Sequence, residues 1–197
     1  QRTIELCEAI IKAGLHKKVR WDCITRANLV DLELLKLMKK SGCWGMHFGV
    51  EGGTQKLIDS IKKDTKLEII RNAFMLCKRT GIETRAYMML GLPGSTREDD
   101  LKTIDFAKQL DPDWAQFTIC TPYPGTQLYD ALINEGELIS KNWDSYQTWS
   151  GYSEHDLVWT PRGRSSDELK SLQRKAMREF YFRPKVILKK LSNINDI

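Results

Sequence analysis

Four apolar, strand-like segments alternate with helical patterns along this chain, and this alternation restricts the fold more than any other feature. The strand-like segments are Val19–Thr25, Gly45–Val50, Glu83–Leu90 and Trp114–Cys120. Strands separated by helices of about ten or more residues pair in parallel through right-handed crossovers. We therefore predict an α/β fold, either a doubly wound sheet or a partial (β/α) barrel of about four units. A complete barrel of about 250 residues does not fit, because the chain has 197 residues.

The helical segments have apolar residues at helical spacing and recognisable ends. We predict them at about residues 3–14, 29–40, 54–61, 66–79 and 97–110. Thr65 with Glu68 and Ser95 with Glu98 have the spacing of capping boxes for the last two of these helices. Gly81 follows the 66–79 segment and predicts its end.

The pattern changes after the fourth strand. Residues 121–165 hold three Pro, four Gly and three Trp, which predicts long loops around one short helix. Ser165 and Glu168 then cap a final amphipathic helix, which a proline breaks. We therefore divide the chain into residues 1–126, the sheet with its helices, and residues 127–197, a loop-rich segment with a basic helical extension.

Charge is concentrated in the tail. Residues 161–190 hold ten basic and three acidic residues, while the formal net charge of the whole chain is +5. A solvated helix face explains this pattern better than a nucleic-acid site, which would interleave a basic stripe with aromatic residues. The chain is 41% hydrophobic and 29% charged, which excludes a disordered or membrane-embedded protein. No apolar run approaches the ~18 residues of a spanning helix, so no membrane span is predicted. The partner that we expect is a small-molecule substrate.

The five cysteines are widely spaced, with gaps of 16, 20, 34 and 43 residues. None forms the C-x2-C spacing of a zinc or cluster site, so no metal site is predicted within this chain. Each is expected to be a small buried apolar residue. An odd count without a secretory signal indicates a reducing compartment and a cytoplasmic location.

Candidate binding residues follow the predicted strands, because parallel α/β folds bind ligands beyond the carboxyl ends of their strands. Glu51 follows the second strand and could accept hydrogen bonds from an amine or from ribose hydroxyls; it could equally pair with an arginine or cap the next helix. Arg26 follows the first strand and could hold a carboxylate or form an ordinary surface pair. Gly91 to Gly94 lead into a helix start, whose N–H groups could cradle an anion, although such turns also need glycine for conformational reasons alone.

Two further groups of side chains have open interpretations. His47 lies inside the second strand and is either a core histidine or a group facing a barrel interior. Five aromatic residues of the loop-rich segment either line a substrate cavity or pack that segment against the sheet. They are Trp143, Tyr146, Trp149, Tyr152 and Trp159.

Three stretches in this order resemble the radical S-adenosylmethionine (radical SAM) enzymes. They are SGCWGMHFGVEGG at 41–53, YMMLGLPGST at 87–96, and PDWAQF at 112–117 followed by TPYPGT at 121–126. The tail segment Lys175–Pro184, KAMREFYFRP, resembles the branch of the family that carries an upstream cobalamin-binding domain. The resemblance implies a six-stranded partial barrel, of which this chain would hold the last four strands.

The resemblance also implies roles for particular residues. Glu51 matches the group that contacts the aminoacyl or ribose part of S-adenosylmethionine. The strand whose backbone flanks the adenine corresponds to Met88, Met89 and Leu90 with Gly91 after them. Ala86 stands where many members have glycine, which puts close backbone approach there in doubt. Arg26 lies near a position that often contacts the cofactor.

The family signature C-x3-C-x2-C, which holds a [4Fe–4S] cluster in these enzymes, is absent from this sequence. The chain begins with Gln1, so we expect it to be the C-terminal part of a longer enzyme whose preceding barrel segment supplies the cluster. Such an enzyme uses S-adenosylmethionine to generate a 5′-deoxyadenosyl radical that abstracts hydrogen from a substrate. The fragment alone is expected to be inactive.

Two other functions remain open from the sequence. One is a methylthiotransferase acting on tRNA or a ribosomal protein, although such enzymes end in a small β-barrel, whereas residues 161–197 are predicted to be helical. The other is a non-catalytic α/β interaction module. The missing strands would also leave an edge beside Val19–Thr25, which a second copy of the chain could cover.

Overall fold

The structure, a computed structural model, describes residues 1–140, 142–146 and 156–192. Its strands form one sheet in chain order: β1 (Trp21–Thr25), β2 (Cys43–Glu51), β3 (Glu83–Leu90) and β4 (Trp114–Ile119). Every neighbouring pair is parallel, which confirms the predicted α/β fold. The order does not reverse within these four strands, as expected for a segment of a barrel, whereas a complete doubly wound fold changes direction at a switch point.

Helices follow the strands in alternation, as the periodicity predicts. They are α1 (Arg2–Lys12), α2 (Leu32–Lys40), α3 (Gln55–Ser60), α4 (Leu67–Thr80), α5 (Arg97–Leu110), α6 (Gln127–Glu135), α7 (Ser166–Tyr181) and α8 (Pro184–Ser192). Pro184 lies just beyond the end of α7, as expected, and also begins α8. No helix in the described part of the chain is long and apolar enough to cross a bilayer.

The main core lies between the sheet and the helices on one of its faces. Alternate strand residues point into it because side chains along a strand alternate between faces. Phe48 packs against Phe74 with ring centroids 5.0 Å apart, and Phe117 packs against Phe180 at 6.3 Å. All four rings are buried, and each such side chain stabilises the fold by about 1.5–3 kcal/mol.

The two edges of the sheet differ. Along β4, α7 supplies side chains that bind the outer backbone groups: Gln173 donates to the Phe117 carbonyl at 2.7 Å. The Tyr181 hydroxyl accepts from the Ala115 N–H at 3.1 Å and donates to the Ala115 carbonyl at 2.7 Å. Within the described residues β1 pairs with β2 alone, and Ile24 on β1 is 70% exposed.

Two of the three predicted helix starts involve different partners from those expected. The Thr65–Glu68 capping box is wrong, because α4 has no side-chain cap and the Leu67 N–H donates instead to Gln55 Oε1 at 3.2 Å. The predicted Ser165 cap is confirmed, since its hydroxyl accepts from the backbone N–H three residues later.

The capping box of α5 is displaced by one residue from the prediction. Thr96 and Asp99 form it, in place of Ser95 and Glu98. The Ser95 N–H is already bound to the Leu92 carbonyl at 2.9 Å, so the chain enters the helix one residue later.

A second apolar cluster lies at the carboxyl ends of the strands. Its buried residues are Leu57, Leu92, Cys120, Leu132, Tyr146, Val158 and Trp159. Burial of Tyr146 and Trp159 favours the packing interpretation of the aromatic residues, whereas Trp143 is mostly exposed. Trp149 and Tyr152 lie outside the described residues. The loop-rich segment therefore covers part of the end of the sheet at which ligands are expected.

Candidate functional site

The face of the sheet opposite the helices carries polar side chains. Alternation along β2 and β3 places His47, Gly49 and Glu51 on this face beside Arg85, Tyr87 and Met89. We call it the open face. His47 therefore points to the interior of the partial barrel, which decides between the two interpretations of this residue.

Glu51 ends β2 in an unusual backbone conformation. Its φ is +68°, which is uncommon for a residue with a side chain, and the register with β3 shifts between Gly49 and Glu51. Such local irregularities cost about 1–3 kcal/mol and are concentrated at functional sites. The carboxylate pairs with Lys63, whose Nζ lies 3.3 Å from Glu51 Oε1. The sequence left open an arginine partner or a helix-capping role for Glu51. Its partner is instead the lysine, and α3 is capped by Thr54.

Gly49 provides the space in which this ion pair lies. A Cβ at position 49 would be 2.6 Å from Glu51 Oε1 and 3.3 Å from Lys63 Nζ. The missing side chain therefore lets the carboxylate and the ammonium group lie over the open face of β2. Any side chain at position 49 would have to displace them.

Arg26 connects the end of β1 to the same group. Its guanidinium donates to the Lys63 carbonyl and, at 3.4 Å, to the Asp64 carbonyl. Arg26 therefore holds the α3–α4 loop across the strand ends, and it binds no carboxylate among the residues that the structure describes. The structure thus joins Arg26 and Glu51 through Lys63.

At the end of β3, only one side chain points to the open face of the sheet. Met88 and Leu90 are buried on the helix-facing side, and only Met89 points to the open face. Gly91 has a φ of +69°, and its N–H donates to both carboxylate oxygens of Asp100, at 3.1 and 3.3 Å. Of the N–H groups in this turn that could cradle an anion, the one of Gly91 is therefore already bound to a carboxylate of the chain.

Asp100 belongs to a buried ion network beneath this turn. Arg164 Nη2 lies 3.0 Å from Asp100 Oδ2, with 7% and 0% of the two side chains exposed. Arg164 also binds Glu168 at 2.9 Å. Burial raises the pKa of Asp100, and the Gly91 N–H and Arg164 counteract that rise. The network fixes the turn after β3 to the segment that precedes α7.

The cysteines of this chain do not fit an iron–sulfur cluster. Three of them are buried between the sheet and the helices: Cys7, Cys43 and Cys77. Cys120 follows β4, where burial, together with the nearby carboxylates of Glu51 and Asp100, raises its pKa to about 12. In the described ranges, no group of three or more His, Cys, Asp or Glu residues is placed to hold a metal ion.

A family model confirms the resemblance that the sequence motifs carry. The model of the radical SAM superfamily matches residues 2–107. The chain belongs to this superfamily. The match includes α1 to α4, β1 to β3 and most of α5, and therefore Arg26, Glu51 and the end of β3.

Curated relatives extend the radical SAM match over most of the chain. It is 35% identical over 189 residues to an uncharacterized methyltransferase of Pyrococcus horikoshii, covering 96% of this chain and 39% of that protein. It is 30% identical over 185 residues to the anaerobic magnesium-protoporphyrin IX monomethyl ester cyclase of Cereibacter sphaeroides, covering 93% and 29%. The chain therefore spans well under half the length of these radical SAM relatives.

A solved structure shows the same fold. The radical S-adenosylmethionine methyltransferase TsrM of Kitasatospora setae, with tryptophan and a SAM analogue bound, superposes with a TM-score of 0.63. The sequences are 19% identical, and the match covers 86% of this chain and 33% of TsrM. The sheet and helices therefore form part of a radical SAM barrel.

Sequence reasoning missed residues that hold this candidate site together. Lys63 lies in a loop twelve residues after Glu51, and no motif indicates that it returns to the end of β2. Arg164 is 64 positions from Asp100. One signal was available for Gly49, because glycine inside an otherwise apolar strand often marks a close approach.

Proposed function

We propose that this chain is the C-terminal part of the catalytic barrel of a radical SAM enzyme of the methyltransferase or oxidoreductase type. Superfamily membership and the relatives named methyltransferase and cyclase support an enzyme as the parent protein. In that parent, the four strands bind the adenosyl part of S-adenosylmethionine and form the substrate side of the barrel.

The observation that carries the proposal is the arrangement of Glu51 over Gly49. The carboxylate is a hydrogen-bond acceptor, partly exposed, at the end of a central strand. It fits a ligand that presents an amine or ribose hydroxyl groups. Met89 presents an apolar side chain on the open face of the neighbouring strand. Backbone at Met88, Leu90 and Gly91 would flank the adenine, while Arg26 holds the loop that carries Lys63.

S-adenosylmethionine bound at these strand ends would supply radical or methyl-transfer chemistry in the parent enzyme. The residues of this chain would bind and orient the cofactor and exclude water from it. The cluster ligands would come from a preceding barrel segment, because the cysteines here do not fit a cluster. Cobalamin in a further domain remains part of the proposal, suggested by the tail segment Lys175–Pro184 and by the cobalamin-dependent radical SAM proteins among the structural neighbours.

The proposal includes the partners and location of the chain. The β1 edge, with Ile24 exposed, would pair with the preceding barrel segment; in its absence a second copy would cover this edge. Five free thiols favour a cytoplasmic location.

The methylthiotransferase alternative has less support, because the relative with that name is 29% identical over 55% of the chain. An interaction module without catalysis would not account for the acceptor site at Glu51.

Binding of S-adenosylhomocysteine to the chain tests the site. We expect isothermal titration calorimetry to show saturable binding that Glu51→Gln weakens about tenfold, equal to about 1.4 kcal/mol. Gly49→Ala should weaken binding similarly, since the added Cβ displaces the Glu51 carboxylate. Glu83→Gln, which removes a carboxylate at the other end of the sheet, is the matched control and should bind like the wild type. Equal losses in Glu51→Gln and Glu83→Gln, or no binding by the wild type, would refute the site.

A second experiment tests the assignment of the cluster. Reconstitution of this chain with iron and sulfide is expected to give no stoichiometric [4Fe–4S] cluster by absorption and iron analysis. A cluster of full occupancy would show that the thiols converge after all, and the division of roles between this chain and a preceding segment would be wrong.

A further inference from the structure

A second polar group lies on the open face of the sheet, further from the strand ends than Glu51. The register pairs His47 of β2 with Arg85 of β3, and Gly49 with Tyr87. The side chains of His47, Arg85 and Tyr87 therefore share one face and lie within one or two residues of each other along the strands. None of them takes part in the site formed by Glu51, Lys63 and Arg26.

The acidic group nearest to this cluster is already engaged. His47 Nε2 lies 3.3 Å from Asp22 Oδ2 on β1, and His47 Nδ1 lies 3.5 Å from the Tyr87 hydroxyl. Burial, followed by the nearby Arg85 cation, lowers the pKa of His47, whereas Asp22 opposes that change. The Asp22 carboxylate therefore lies against the His47 ring, and it forms no ion pair with Arg85 in the described part of the chain.

Arg85 is left without an anionic partner. Arg85 is a half-buried residue whose guanidinium carbon lies 6.0 Å from the centroid of the Trp114 ring, and its side chain makes no hydrogen bond or ion pair with any other described residue. Glu83, two residues earlier on the same strand, forms no ion pair with it. A charge that is partly removed from water without a counter-ion is unfavourable. The planar fork of a guanidinium matches the two oxygens of a carboxylate or phosphoryl group.

We infer that Arg85 binds an oxyanion on the substrate of the parent enzyme, on the open face of the sheet that it shares with Tyr87. Arg85 lies three positions before Met88, which pairs with Glu51, so the backbone of Arg85 is about 10 Å from the level of Glu51 at about 3.3 Å per residue. The substrate class is therefore an organic carboxylate or phosphoryl compound, whose charged end lies inside the barrel while its reacting end faces the cofactor. This inference rests on the proposed function for the identity of the ligand as substrate.

Nuclear magnetic resonance of the chain with benzoate tests the inference directly. We expect benzoate to shift the Arg85 Nε–Hε signal and the Tyr87 backbone amide in a saturable way. Benzamide, which has the same ring without the charge, should not do so. Phenylphosphonate distinguishes a carboxylate site from a phosphoryl site by its relative affinity. Added salt should weaken the binding of both anions.

Variants separate a bound anion from general effects. Arg85→Gln should lower benzoate affinity about tenfold or more, measured at the Tyr87 amide, while Arg85→Lys should retain part of it. Arg71→Gln is the matched control, because Arg71 also lies over an aromatic ring, 4.6 Å from the Phe106 centroid, but belongs to the helical layer. It should leave benzoate binding unchanged. Circular dichroism establishes that each variant is folded.

The outcomes also separate this inference from the proposed function. No benzoate binding, equal shifts with benzamide, or unchanged affinity in Arg85→Gln would overturn the anion site. If benzoate binds as expected while S-adenosylhomocysteine does not, the anion site stands and the cofactor site fails. The Glu51→Gln variant should leave benzoate binding intact, since Glu51 makes no contact with Arg85.

Discussion

The buried ion pair of Arg164 with Asp100 offers the most demanding test of the structure. Arg164→Met keeps an unbranched side chain but leaves the Asp100 carboxylate, which is 0% exposed, with the Gly91 N–H alone. Removing one partner of a buried pair costs about 3–5 kcal/mol. For a chain of this size each kcal/mol lowers the melting temperature by about 2–4 °C. We therefore expect a fall of about 6–20 °C.

The stability lost in Arg164→Met should be larger at high pH than at low pH. Burial already raises the pKa of Asp100 in the folded protein, and loss of the Arg164 cation raises it further. An acid whose pKa is higher in the folded state than in the unfolded state binds protons more readily when folded. Its destabilising effect therefore grows as pH rises through the folded pKa and shrinks as pH falls. The deficit of Arg164→Met should accordingly be smaller near pH 5 than near pH 8.

Urea denaturation followed by circular dichroism at both pH values measures these effects. Arg162→Met is the matched control, because Arg162 is 84% exposed and pairs with Glu137 at 2.7 Å. Exposed pairs contribute only about 0.2–1 kcal/mol. The double variant Arg164→Met with Asp100→Asn should lose less stability than the two single losses added together, since both charges are then absent.

Three results would refute this reasoning. One is a loss in Arg164→Met no larger than that in Arg162→Met. The second is a deficit that grows as pH falls. The third is strict additivity in the double variant, because two groups that contact each other in a buried site cannot contribute independently.

The remaining predictions concern single groups. Tyr181→Phe should lower the free energy of unfolding, measured by urea denaturation, by about 1–3 kcal/mol, because both hydrogen bonds to Ala115 are lost. The Ala115 amide should also exchange its hydrogen faster, and unchanged exchange would contradict the edge contact. Thr96→Ala should lower the free energy of unfolding by about 1 kcal/mol, because it removes the cap of α5. A thermal melt identical to that of the wild type would contradict this prediction. Proton titration by nuclear magnetic resonance should place His47 below its ordinary pKa of 6.5, owing to burial and the Arg85 cation, and a midpoint above that value would contradict it.

Periodicity alone predicted most of the elements, since β3 and α5 have the bounds expected from their sequences. The helix starts were harder to predict because neighbouring hydroxyl residues compete for the same backbone groups. At Ser95 and Thr96 the spacing of two capping boxes is present one residue apart, and the turn after Leu92 decides between them. Which capping box forms therefore depends on the path of the turn, and residue spacing in the sequence does not reveal that path.

The sequence predicted which residues would lie together at the strand ends, but it did not predict the contacts between them. The rule that ligands bind beyond parallel strand ends identified Arg26, Glu51 and Gly91. It could not show that Lys63 bridges the first two, or that Asp100 occupies the Gly91 N–H. These contacts join residues 9 to 37 positions apart through loops whose paths depend on packing. Chemistry at strand ends is therefore easier to locate from sequence than to describe.

The two edges of the sheet differ in whether a further strand could pair with them. On β4 the outer backbone groups are bound by Tyr181 and Gln173, and the ring of Phe180 fills the core beside that strand, so another strand could not pair there without displacing α7. On β1 only β2 is paired within the described residues, and the neighbouring Val19 and Ile24 expose apolar side chains. An edge with unpaired backbone and exposed apolar groups is a template for a further strand. The proposed cluster-bearing segment therefore has one place to join the sheet, next to Arg26 and the Glu51 site.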